Sequence, residues 1–496
     1  MLNKRGCGIL LHPTSLPGPD AIGTLGADAR RFIDLLGTMG MTYWQVLPLT
    51  PPACGNSPYS AFTAFGGNPL LIDLEQLAEE GDLPAPLCHP AYPKDRVDFG
   101  LVYQIKHELL YQAGMQFLQH APPQRKSCFD EFCATVPWLH DFALFMALKR
   151  RFNGVSWHLW SQEVACPAPE TLQSLSQELE QEVALQKYLQ WQFTRQWNQL
   201  RSYANQQGIA VIGDLPIFVA YDSADVWSRR ELFLLDRLGK PTVVAGVPPD
   251  YFSATGQLWG NPHYNWDLMA QDGYSWWIER FRSMFNFFDL VRIDHFRGFE
   301  ASWQIPAGEK TAQQGVWVKG PGEKLFDAVQ AALGKLPIIA EDLGVITPEV
   351  LALRDRYDFP GMKILQFGFD AEQDDRDLPH NHVKNGVVYT GTHDNDTTKG
   401  WCRTRSAAEL REMEAYLGSS SSGGDCAGDL IRAALMSVAD TAILPLQDIL
   451  KLGSEARMNI PGTPFDNWEW RFSWDQLPDD LAAELHVQLR RYGRTG

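Results

Sequence analysis

Eight short apolar runs recur along the chain, each set between turn residues or helical patterns, and most end in a polar or charged residue. They are Gly8 to His12, Tyr43 to Pro48, Ile209 to Asp214, Phe288 to Asp294, Pro337 to Asp342, Met362 to Phe367, Val387 to Asp394 and Ala442 to Asp448. Near-continuous apolar runs of this length are what strands buried on both faces of a parallel sheet look like. Helical patterns lie between many of them. Ala27 to Met39 has its apolar positions three and four apart, and Pro348 to Tyr357 follows an expected N-cap at Thr347. This alternation predicts an α/β fold, an eight-stranded parallel β/α (TIM) barrel. Closure puts the C-terminal ends of all strands on one rim, where barrel enzymes carry their chemistry. His12, Asp214, Asp294, Glu341 and Asp394 would meet there, which an open doubly wound sheet would not achieve for so many strands.

The spacing of the runs is uneven. From Pro48 to Ile209 the gap is too long for a simple connection, so residues of about 52–205 are expected to form an inserted, mostly helical subdomain between strands two and three. Its best helical patterns are Trp138 to Arg151 and Gln173 to Gln207. A second insertion, about 218–285, falls between strands three and four and includes a long loop over 246–261. Gly418 to Asp425, GSSSSGGD, reads as a mobile surface loop. The whole of 1–496 is read as one catalytic barrel.

Composition narrows the function. A formal net charge of -17, with no basic block, repels polyphosphates and anionic membrane surfaces, so neither nucleic acid nor a membrane is an expected partner. The opening MLNKRGCGIL runs straight into His12 and Pro13, which leaves no stretch long enough for a signal peptide, and a cytoplasmic location is expected. Eight cysteines without a CxxC pair read as reduced, mostly buried thiols. Aromatic residues are plentiful, with 17 Trp, 15 Tyr and 26 Phe, and aromatic rings make good platforms for the apolar faces of sugars as well as good core.

Three strand ends carry the chemistry. In Val291-Arg292-Ile293-Asp294 the arginine and the aspartate fall on the same side of the strand, and a neighbouring guanidinium favours the carboxylate form that a nucleophile at an anomeric carbon needs. A structural ion pair would give the same pattern. Glu341 follows the fully apolar Ile338-Ile339-Ala340, where partial burial would raise its pKa toward that of a general acid, although a loop-capping glutamate would look alike. His393-Asp394 adds a third carboxylate beside an imidazole. No cluster has metal-ligand spacing, so no metal or other cofactor is expected.

Arg292-x-Asp294, Glu341 and His393-Asp394, in that order on strand ends, resemble the catalytic signature of the α-amylase superfamily. More narrowly, the chain resembles the 4-α-glucanotransferases of glycoside hydrolase family 77. LHPTSLPGPDAIGTLG, SPYSAFTAFGGNPLLIDL, IGDLPIFVAYDSADVW, GVPPDYFSATGQLWGNPHYNW, RIDHFRG, AEDLG and PGTPFDNWEWR carry the resemblance, which covers essentially the whole chain. It implies transfer of a piece of one α-1,4-glucan to another glucan or to glucose by a retaining mechanism. Asp294 would be the nucleophile, Glu341 the general acid/base and Asp394 the residue that holds the distorted sugar. Arg292, His393 and Asp214 would support that sugar, Tyr59 would stack on it, and Gln257, Asp370 and Asn467 would make polar contacts. Tyr251, Phe252 and Trp259 would belong to a lid over the glucan, formed by the loop 246–261. A retaining enzyme keeps its two working carboxyls about 5–5.5 Å apart, the spacing expected of Asp294 and Glu341. The resemblance also implies that no β-sandwich domain follows the barrel. The sequence leaves monomer and homodimer both open.

Overall fold

The computed structural model describes residues 4–53, 55–89, 91–249, 253–370, 375–418, 425–463 and 465–496. Its strands are β1 Gly6–Leu10, β2 Tyr43–Gln45, β3 Ala210–Pro216, β4 Val243–Val247, β5 Gln257–Pro262, β6 Leu290–Asp294, β7 Ala301–Pro306, β8 Val316–Lys319, β9 Ile338–Ala340, β10 Gly361–Ile364, β11 Gly386–Tyr389 and β12 Thr441–Pro445. Each of the eight apolar runs forms a strand, and these strands close a barrel in the order β1-β12-β11-β10-β9-β6-β3-β2. Every ladder in it is parallel. Several strands stop short of the expected polar ends. β11 ends at Tyr389, and the following turn is closed by Asn395 Oδ1, which accepts from the Thr392 amide at 2.8 Å and its hydroxyl at 2.9 Å. His12 and Asp394 therefore sit on loops beyond the strands.

The wall of the barrel is well buried, with Val211, Ile293, Ile339, Val388 and Leu444 fully so. Helix Ala27–Met39 covers it from outside, burying Ala29, Phe32, Ile33, Leu36 and Met39 at the three-and-four spacing of one helical face. Gly40 ends that helix at φ 80°, a left-handed cap that glycine adopts without a Cβ penalty. Thr347 does occupy the N-cap of helix Pro348–Arg356, though without a side-chain hydrogen bond to it.

Between β2 and β3 the regular structure is helical. Leu139–Arg151 forms as expected, whereas Gln173 to Gln207 is two helices, Pro169–Glu178 and Glu180–Gln206, parted at Leu179 (φ −105°, ψ 17°). The long helix is fastened by buried amides to the segment that follows β2. Gln190 both accepts from the Gly67 N–H and donates to its carbonyl, each at 2.8 Å. Residues 246–261 are not one loop either: β4 and β5 pair as a hairpin in a four-stranded antiparallel sheet of order β5-β4-β7-β8, which also recruits chain from beyond β6. After β12 the described residues form helices, turns and irregular chain, with one isolated bridge from Trp470 to Arg96 and no further named strand.

One cysteine expectation fails. Cys402 and Cys426 form a disulfide, because the packing of helix Thr398–Thr404 on Cys426–Met436 brings their Cα atoms to 6.4 Å. Cys88 and Cys128 are free but exposed rather than buried. Residues 419–424, most of the expected surface loop, lie outside the described residues. Among the described residues no helix is long and apolar enough to cross a membrane.

Candidate active site

Parallel register sets the site. Asp214 of β3 lies beside Arg292 of β6, Pro216 beside Asp294, and Ile293 beside Ala340 of β9, so Asp294 and Glu341 are the next positions on adjacent strands. Arg292 is buried and donates from Nη1 to both Asp214 carboxylate oxygens, at 2.9 and 2.7 Å, and from Nη2 to Asp294 Oδ1 at 3.0 Å. One planar guanidinium thus orients two carboxylates. Burial opposes its charge, but Asp214 and Asp294 outweigh that and raise its pKa well above the ordinary value. The Asp214 carboxyl is pushed up to about 7, by burial first and by Asp294, against the pull of Arg292. Tyr59 completes this layer by donating its hydroxyl to Asp214 Oδ2 at 2.8 Å.

Glu341 stands one residue past β9 and is held by two backbone amides. Oε2 accepts from His295 N–H at 2.6 Å and Oε1 from Leu343 N–H at 2.9 Å. His295 takes the left-handed conformation (φ 54°), uncommon for a residue with a side chain and characteristic of functional turns, and from it presents its amide to Glu341. Burial, reinforced by Asp294 and opposed by Arg292 and the two amides, raises Glu341 to about 7. A carboxyl titrating there can give a proton and take one back near neutral pH.

Asp394 lies across the mouth from this pair. His393 beside it is buried, with Nε2 3.4 Å from Asp394 Oδ1, and stacks on the Tyr59 ring at 5.0 Å and 12°. Burial lowers the His393 pKa, which favours the neutral imidazole. An open cavity beside His393 is lined by His12, Asn395, Gln447, Arg457 and Trp470. His12, lowered to about 3 by burial and then by His393, faces that cavity uncharged.

The remaining expected residues divide. Trp259 meets the His295 ring edge-on at 4.9 Å and donates to Gln257 Oε1 at 3.2 Å, so the hairpin reaches the residue that follows Asp294. Asp370 pairs with Arg405 at 3.5 Å and has no described contact with the carboxylate cluster. Asn467 is buried and spends its amide inside its own loop, accepting from Ile460 N–H at 2.8 Å and donating to the Thr463 carbonyl at 2.9 Å. Tyr251 and Phe252 lie outside the described residues. Sequence reasoning passed over His295, Arg457, Asn459 and Trp468. His295 was in view within RIDHFRG, but its left-handed backbone has no signature in residue type.

Comparison with known proteins identifies the family. The family model described as glycoside hydrolase family 77, 4-alpha-glucanotransferase, matches residues 11–477. A 4-alpha-glucanotransferase of Synechocystis sp. is 51% identical over 100% of this chain and 99% of its own length. That of Thermus thermophilus is 50% identical over 98% and 97%. The solved amylomaltase of Streptococcus agalactiae, in complex with acarbose, superposes with a TM-score of 0.96 at 37% identity, covering 99% of this chain and 100% of that one. The chain belongs to glycoside hydrolase family 77, the 4-α-glucanotransferases.

Proposed function

We propose that the chain disproportionates α-1,4-glucans and maltooligosaccharides by double displacement, with Asp294, Glu341 and Asp394 as its working carboxylates. The Asp294 carboxylate attacks the anomeric carbon while Glu341 passes its proton to the departing glycosidic oxygen, leaving a glycosyl ester on Asp294 and a free 4-OH on the released chain. Glu341, now ionised, takes the proton from the 4-OH of an acceptor glucan or glucose. That oxygen displaces Asp294 and restores the α-linkage. Asp394 binds the distorted ring, Arg292, Asp214, His393 and Tyr59 frame it, and Tyr251, Phe252, Gln257 and Trp259 belong to a lid that grips the acceptor and keeps water out. Asp370 and Asn467 contact the glucan further along. The observation that carries the reading is the shared hold on the two carboxyls: Arg292 grips Asp294, and the amide of the next residue grips Glu341. Residues 52–205 and 218–285 act as helical and lid-bearing insertions of one barrel. The reaction needs no metal or cofactor and takes place in the cytoplasm, on a monomer or a homodimer.

Incubation with pure maltotriose tests this. The expected products are glucose and a ladder of longer maltooligosaccharides at constant total reducing ends. Only shorter products with rising reducing ends would make the enzyme a hydrolase. Asp294→Asn is expected to lower kcat by about 10⁴-fold with the fold intact, and near-normal turnover would remove Asp294 from its role.

A further inference from the structure

We infer that Asn459 is a positioning residue for Asp394, held in place by Arg457; the inference rests on the role proposed for Asp394. The barrel ladder does not fix Asp394. β11 ends at Tyr389, and the Asp394 side chain is 47% exposed on the loop beyond it. Beyond its own loop, where its amide donates to Thr392 Oγ1 at 3.3 Å, what holds it comes from the chain after β12. Asn459 Nδ2 donates to Asp394 Oδ1 at 2.6 Å, and Arg457 Nη2 donates to the Asp394 main-chain carbonyl, also at 2.6 Å. The same guanidinium donates from Nε to the Asn459 carbonyl at 2.8 Å, so one arginine locks the backbones of both partners.

The loop that presents Asn459 is itself braced. Asn467 ties Ile460 to Thr463, and Trp468 N–H donates to the Met458 carbonyl at 2.8 Å. Trp468, at φ 67°, sets its ring 5.9 Å from that of Tyr59 and 6.0 Å from that of His393. The loop therefore touches Asp394 with an amide and its neighbours with an indole. A carboxylate on a mobile loop would lose its aim at the sugar, and a misplacement of about 1 Å can cost 10²-fold in rate. The groups that face Asp394 are His393, with Tyr59 stacked behind it, and the Arg457 guanidinium.

Steady-state kinetics on maltotriose, with thermal unfolding of each variant, tests the assignment. Asn459→Ala is expected to lower kcat by about 100-fold with KM changed no more than a few-fold, since the ground-state contacts stay. Asn459→Asp replaces a donor with a like charge at the same place, so the pair holds a proton in common and the acidic limb of the kcat profile moves up by about one pH unit or more. Asp394→Asn is measured beside them. If it turns over normally, the reading of Asp394 itself fails. If it is inactive while both Asn459 variants keep the wild-type kcat and pH profile, or lose activity only as they lose folded protein, the inference about Asn459 is overturned alone.

Discussion

Glu341 is a carboxyl whose surroundings work against its charge in the resting protein, and that has a consequence for stability separate from catalysis. Burial raises it from an ordinary 4.5 to about 7. The folded state therefore binds a proton that the unfolded state has already released between those values, so the contribution of Glu341 to stability is fully present below about 4.5 and is lost as pH rises through about 7. A glutamine carries no such dependence. Glu341→Gln should abolish transfer and, beyond a constant cost for the backbone N–H that its amide nitrogen can no longer accept, gain stability relative to the wild type as pH rises from about 4.5 through about 7. Thermal unfolding across pH checks this, and parallel curves would mean that the carboxyl is not raised. At this scale the cluster was legible because Asp294 and Glu341 stand at or just past the end of an apolar strand and Asp394 lies in a signature with His393. Asn459, some sixty residues further along and across the rim, carries no local sign of the contact it makes.

The elements were legible in proportion to their burial. The barrel strands are buried along almost their whole length and announce themselves, whereas β5 leaves Leu258 and Trp259 exposed and β8 leaves Val316 and Trp317 exposed, so they blend into turns. The break at Leu179 escaped notice because helical residue types continue on both sides of it. The sheet these elements build changes the nature of the lid. Thr255, at the hairpin's turn, accepts from the Ala312 N–H at 3.0 Å, and Ala312 in turn accepts from Trp303 Nε1 at 2.9 Å, so the hairpin is bolted to the chain that follows Asp294. Gly256 sits in that turn at φ 68°, where a Cβ would overlap the Val247 carbonyl oxygen and lie 2.8 Å from the Ala312 Cβ. Gly256→Ala should displace the hairpin and Trp259 with it. An alanine held in that left-handed conformation costs about 1–2 kcal/mol before any clash. The expected result is a larger share of hydrolysis, read as new reducing ends per bond cleaved. A variant that melts lower but keeps the wild-type ratio would detach the hairpin from water exclusion.

At the scale of the whole molecule, closing the barrel requires the first strand to find the last. Gly6 pairs with Thr441 where β1 meets β12, and the seam is held at its N-terminal end by an arginine from the chain terminus. Arg494 is fully buried, and its donors go to backbone carbonyls: Gly6 at 2.9 Å, Leu435 at 2.8 Å, Ser437 at 3.0 Å and Ala439 at 2.9 Å. Arg5 adds bonds to Tyr492 and Leu435, both at 2.9 Å. The carbonyls beside the seam thereby gain partners that the strands do not supply. In Arg494→Met a shorter apolar chain would strand several of them, at about 1–3 kcal/mol for each that water cannot reach. Against a total stability of about 5–15 kcal/mol, that is a large fraction. The site lies at the opposite, C-terminal ends of the strands, the end that carries chemistry in barrels, whereas the other end bears on stability. Arg494→Met should therefore unfold many degrees lower while kcat per folded molecule, measured well below its transition, stays within about two-fold of wild type. Loss of kcat in the folded variant would mean that the seam and the site are coupled through the barrel.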